Sequence, residues 1–205
     1  MSPCSAREVA RARYAELRTQ AGDWLLPAFV RGPMAAWEFD TFAQREPELA
    51  EILTRRDEVD ADAVDLGLAV RRDAKPVFEA ATDDLDDVSS ALDAQEHALE
   101  AYAEAERLVN GDRGLLSWIG LMGHDPKGDL AALRVQWEAG DDAAVTRRAE
   151  ALASLVDGAV GRGTVRLVIP ALLGLAAVVL LRMAGRALRP GATDPTPDDR
   201  APDQP

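Results

Sequence analysis

The residues of this chain best suited to chemistry are two histidines, one cysteine and a run of aspartates. His97 lies in "DAQEHALEAY", directly after Glu96. A zinc-peptidase helix needs a second histidine on the same face, one turn away, and none accompanies His97. It is expected to be a partly exposed helix residue. His124 lies in "MGHDPKGD", followed by Asp125 and Pro126. An aspartate can orient an imidazole for proton transfer, but His-Asp-Pro is more simply a turn in which Asp125 caps the next helix. The "DDLDD" run from Asp83 to Asp87 lacks the alternation and the closing glutamate of a calcium loop. Acids at the start of a helix are favoured by the macrodipole alone.

Cys4 is the one cysteine, which excludes an intramolecular disulfide and a cysteine-based zinc site. The spaced glycines of "GAVGRGTVR" follow no strand and are expected to form a flexible juncture. Neither a phosphate-binding loop nor a serine elbow occurs. No catalytic, cofactor-binding or metal-ligating residue is assigned, no cofactor is expected, and the chain is not expected to be an enzyme. Trp24, Trp37, Trp118 and Trp137 fall on apolar faces near helix junctions, where core packing is the expectation for each.

The elements that carry these residues are expected to be helices. Hydrophobic residues make up 47% of the chain but aromatics only 5%, so the apolar material is mostly Ala, Leu and Val. Ala and Leu favour helix, while the strand-favouring Ile, Phe and Tyr are scarce. In the first helix Ala10, Tyr14, Leu17 and Ala21 follow a Ser5-x-x-Glu8 capping box, and Gly22 ends it. Asp23 is placed to cap a second helix, with Pro27 near its first turn and Pro33 breaking it. A third is expected from about Asp40 to Glu58 on Phe42, Leu49, Ile52 and Leu53, kinked or split by Pro47. From Asp60 to Ala81 the pattern weakens to two short helices separated by Gly67.

The clearest periodicity follows. Leu85, Val88, Leu92, Leu99 and Tyr102, with Gln95 on the same stripe, predict an amphipathic helix of about 25 residues that stops at Asn110-Gly111. "DRGLLSWIGLMG" is a short apolar helix. A helical hairpin then turns at Gly140-Asp141, with Leu130, Leu133 and Trp137 before the turn and Val145, Ala149, Leu152 and Val156 after it. The hairpin resembles a tetratricopeptide unit. "AAWEFDTFAQREPELAEIL" shares its Trp-Glu start, but two weak units are fewer than a solenoid needs.

Between Arg166 and Arg182 lie fifteen residues without a charge, "LVIPALLGLAAVVLL". As a helix they extend roughly 22 Å, against a hydrocarbon core of ~30 Å. Arginines at both ends can snorkel to the headgroups, and the apolar character continues past them. A water-facing helix would show a charge every turn or so, and this one shows none for four turns. A membrane span is therefore expected, with lipid contact over residues 164–186. The expected organisation is an acidic all-α body over 1–162, a transmembrane helix with arginine flanks over 163–189 and a disordered Pro/Asp-rich tail over 190–205. The fold class is all-α: helical hairpins, weakly tetratricopeptide-like, then one C-terminal span.

The formal net charge is −13. After Gly163 five arginines face four aspartates, a net of +1, so −14 resides before it. Such a body is repelled by phosphate backbones, which excludes nucleic acid as a partner. A protein partner is expected instead. Arg182, Arg186 and Arg189 after the span outnumber Arg162 and Arg166 before it, which favours a cytoplasmic tail and an extracytoplasmic body. The first residues carry no apolar signal segment. That fits either a tail-anchored protein with a cytoplasmic body or a longer chain that starts upstream.

"AGDWLLPAFVRGPMAAWEFD", "LLSWIGLMGHDPKGDLAALRVQWEAGDDAAVTRRAEAL" and the C-terminal span together resemble a region of membrane-anchored exported proteins of high-GC bacteria. In these a helical juxtamembrane stalk precedes a single anchor, and some carry a metallopeptidase-like domain upstream. The resemblance covers nearly the whole chain and implies a non-catalytic stalk or interaction module with its body outside. It transfers no catalytic residue.

Overall fold

The computed structural model describes the backbone of residues 3–112 and 114–187, and the side-chain surroundings of residues 7–112 and 114–182. The expected tail over 190–205, the side chain of Cys4 and the last residues of the expected span lie outside the described residues. Within them the chain is all-helical, with nine helices and no strand: α1 (Pro3–Ala21), α2 (Ala28–Ala36), α3 (Phe39–Asp65), α4 (Ala74–Ala80), α5 (Asp86–Asn110), α6 (Leu115–Gly120), α7 (Pro126–Glu138), α8 (Asp142–Asp157) and α9 (Ala159–Ala187). α3 packs against α1 on one side and α5 on the other, and α5 packs in turn on α7 and α8. α2 lies on α3, α4 on α5, and α6 on α9.

The stripe on α5 is the spine of the core. Leu85, Val88, Leu92, Leu99 and Tyr102 are all buried, and Gln95 is buried beside them. The helix ends at Asn110 as the spacing predicts, but Gly111 is extended rather than left-handed, with φ −65° and ψ 158°. The stop therefore does not depend on a positive φ.

Several expectations about helix ends and proline breaks are corrected. α1 begins at Pro3, so Ser5 lies inside the helix instead of capping it. Residues 24–26 stay outside α2, which starts after Pro27, and Pro33 sits inside its last turn, where few bonds remain for it to break. Pro47 lies inside α3 without splitting it. Its missing N–H leaves the carbonyl of Ala43 without a donor, and Ala43 is exposed to water. α3 also runs seven residues beyond Glu58, because Val59 and Ala63 continue the buried stripe of Leu49, Ile52 and Arg56 in phase. The acids at 60, 62 and 65 mask that continuation. They oppose the macrodipole at a C-terminus, so local preference alone argues against helix there.

The hairpin forms as the spacing predicts. Gly140 has φ +80°, a conformation costly for a side chain, and Asp141 caps α8 by accepting from the Ala144 N–H at 3.0 Å. Trp137 is buried. The proposed second unit is not its equal: Trp37 is exposed at the left-handed end of α2, with φ 66°. α9 starts at Ala159, so the boundary expected at 162/163 falls inside a continuous helix rather than at a flexible glycine juncture.

Candidate functional site

α9 is the element with the most to say about function. It is long and apolar enough, over Ala159–Arg182, to cross a membrane, and residues 164–182 are exposed throughout. Those nineteen residues extend ~28 Å along the axis, close to the ~30 Å of a hydrocarbon core. Among the described residues no other helix buries them.

The first turns of α9 belong to the body. Ala159 and Gly163 are buried, and α6 crosses them so closely that a Cβ at Gly163 would overlap the carbonyl of Leu116 and one at Gly120 that of Ala159. The glycines expected to be a flexible joint are thus a contact surface, because only the absence of side chains lets the two backbones meet. Arg166 closes the crossing. Its guanidinium donates to the carbonyls of Ile119 at 2.9 Å and Met122 at 3.1 Å, at the C-terminal end of α6. Arg162 donates to the carbonyl of Leu155.

A second constellation joins the α7–α8 hairpin to the loop before α4. Trp137 donates its Nε1 proton to the carbonyl of Ala69 at 2.8 Å. Arg71 lies over the Trp137 ring, 4.5 Å from its centroid, and pairs with both Asp73 and Asp142. Burial works against the charge on Arg71, yet the hydrogen bonds it donates to Asp142 and Asp73 hold its pKa above the ordinary value. Arg56 does similar work on the other side. Buried on α3, it donates to the carbonyls of Gln20 and Ala21 at 2.8 and 3.1 Å, satisfying the end of α1, and covers the Trp24 ring. Sequence reasoning missed both arginines. Charge-periodicity offers no signal for them, since each is drawn inward by a partner far along the chain.

Between α3 and α5 lies a groove of about 420 Å³ with Val59, Leu66 and Leu99 in its lining and Glu58, Asp62, Asp65, Glu96 and Glu100 around them. Glu96 is engaged by Arg55, whose Nε and one amino group donate to it at 3.0 and 2.9 Å. Those bonds, with Asp93 adding to them, raise the Arg55 pKa further.

The candidate histidines are not brought together. His97 is exposed and its Nδ1 lies 2.7 Å from the carbonyl of Asp93 in the preceding turn. His124 is exposed, and Asp125 beside it caps α7, accepting from the Gly128 N–H at 3.1 Å. That is the capping role the spacing suggests. Asp83, Asp84, Asp86 and Asp87 are exposed around the start of α5. Among the described residues no group of three or more His, Cys, Asp or Glu is placed to hold a metal ion. The tryptophans divide. Trp24 and Trp137 are buried, whereas Trp37 and Trp118 are 54% and 62% exposed, against the expectation of core packing. Trp37 is turned out by the left-handed cap and covered by Arg7, 4.1 Å from its ring centroid. Trp118 lies on the face of α6 away from α9.

The geometry defines an all-α protein with one candidate membrane-spanning helix continuous with its body. Comparison with protein-family models, with curated proteins and with solved structures returns no match.

Proposed function

We propose that this chain is a single-pass membrane protein whose helical body is a non-catalytic protein-interaction module held beside the bilayer. The observation that carries the reading is the exposed apolar run of α9. In water, nineteen consecutive exposed residues with so much Leu and Val would form a patch far larger than a monomeric protein tolerates. The groove between α3 and α5 supports interaction rather than a bare stalk. Its acidic rim and apolar floor suit a basic amphipathic helix of a partner protein, which would lay Leu or Val on Leu99 and Lys or Arg against Glu58, Asp62 and Glu100. The arginines after the span favour an extracytoplasmic body. A tail-anchored adaptor with a cytoplasmic body keeps the same geometry. It becomes the reading if protease added to intact cells leaves the body uncut.

The test is membrane extraction of the full chain. Wild type is expected to stay in the membrane fraction through alkaline carbonate. Leu175→Arg with Val178→Asp is expected to release it, since each charge near mid-span costs about 2.5–3.5 kcal/mol. A wild-type chain that is monomeric in detergent-free buffer overturns the proposal. Replacing both His97 and His124 with Ala is expected to leave stability within about 0.5 kcal/mol, as for other exposed positions, and to leave any cellular role intact. Stoichiometric zinc binding by the protein would contradict the non-catalytic reading.

A further inference from the structure

Helix α6 is inverted for an element that faces water. Its polar and small residues, Ser117 and Gly120, are turned inward against α9, while Leu115, Trp118 and Met122 are 70%, 62% and 54% exposed. Leu115 and Trp118, three residues apart, share one outward face of α6, and Met122 is exposed in the turn that follows it. The hydrophobic effect favours the opposite arrangement in water.

The height of this face relative to the span follows from the contacts. Leu116 meets Gly163, Gly120 meets Ala159, and Arg166 reaches the carbonyls of Ile119 and Met122, so α6 crosses α9 in the two turns just before the apolar run. Gly163 is three residues from Arg166, roughly 4.5 Å along the axis. The headgroup layer is about 5–7 Å deep on each side of the hydrocarbon. With Arg166 at the edge of the hydrocarbon, the crossing of α6 at Gly163 falls within that layer, the depth at which a tryptophan ring is most favourably placed. Charge agrees. The chain has 36 acidic residues, yet none lies between Gly114 and His124 or between Gly158 and Thr193, while Arg162 and Arg166 do. This end of an otherwise acidic body therefore does not repel anionic headgroups.

We infer that α6 and the first turns of α9 form a lipid-binding foot. α6 lies in the headgroup layer with Leu115 and Trp118 toward the lipid, and Arg162 and Arg166 supply positive charge at phosphate level. The foot fixes the body against the membrane, because Arg166 and the glycine crossing tie α6 to the span. The inference rests on the reading of α9 as a membrane span.

The test uses the full chain reconstituted in phosphatidylcholine–phosphatidylglycerol vesicles, plain or brominated on the acyl chains. Brominated lipid is expected to quench tryptophan emission, and Trp118→Phe is expected to remove most of that quenching. Trp118 is exposed, so the substitution leaves packing intact. Trp37→Phe, at the other exposed tryptophan, is expected to leave the quenching unchanged. If Trp118→Phe leaves the quenching as it was, the foot is overturned. It is also overturned if Trp118 is shielded from aqueous acrylamide but not reached by brominated lipid, since a second copy of the chain then covers α6. Vesicle flotation separates the two readings. A chain that floats through carbonate with Trp118 unquenched loses only the foot, and a chain that does not float loses both.

Discussion

Trp137 is the residue on which most depends locally. Its ring fills the seam of the α7–α8 hairpin, its N–H satisfies the Ala69 carbonyl, and its outer face carries Arg71. Trp137→Ala is expected to cost about 3–5 kcal/mol in chemical denaturation, through the cavity it leaves. Trp137→Phe keeps much of the packing but strands a carbonyl and is expected to cost about 1–3 kcal/mol. A Trp137→Ala variant with an unchanged midpoint would mean that the ring is not in the seam. Arg71 shows why a single charge can sit there at all: with only 7% of its side chain exposed, it is stabilised by two carboxylates and an aromatic face together.

At the scale of elements, α5 and the α6–α9 crossing make separable demands. α5 is held by area, since its stripe meets α3 on one side and α8 on the other. Leu92→Ala is expected to lower stability by about 2–5 kcal/mol, read by urea denaturation; a loss under about 1 kcal/mol would place the stripe on the surface. The α6–α9 crossing is held by close approach instead. Gly163→Leu is expected to separate the two helices and expose the amides of α6, while the rest of the body melts as before. Hydrogen exchange resolves this, with protection lost over 115–122 and kept over 86–110. Protection lost in both places would show that the crossing supports the whole body.

For the whole molecule, the charge of −13 sets how stability responds to acid. Most carboxylates are solvated, and a few hold distant segments together. Asp23, at the turn after α1, pairs with Lys75 of α4 at 2.8 Å, and that hydrogen bond lowers its pKa below the ordinary 3.8. The folded state therefore binds fewer protons than the unfolded state in this range, and stability rises with pH there. The contribution is fully present above 3.8 and is lost as pH falls through the lower folded value. Asp23→Asn is expected to melt below wild type at pH 7, with the gap closing only under pH 3.8. A gap that persists at pH 2 would assign the effect to packing. The pair is exposed, so the gap is expected to be small and reduced by salt.

Periodicity within one element was legible without any structure. The α5 stripe and the unbroken apolar run of α9 are each a property of a single helix, the Gly140-Asp141 hairpin one of two helices adjacent in sequence, and each stands where the spacing put it. What one element does to another was not legible. Nothing local distinguishes Trp37 and Trp118, which face outward, from Trp24 and Trp137, which are buried. Arg56 and Arg71 look like surface charges until the ends of α1 and the hairpin come to meet them. The glycines before the span suggest flexibility in a linear reading and become a contact when α6 crosses them. Local spacing decides which face of a helix is apolar; whether that face meets protein, water or lipid depends on residues far along the chain, and only the packed structure brings those into place.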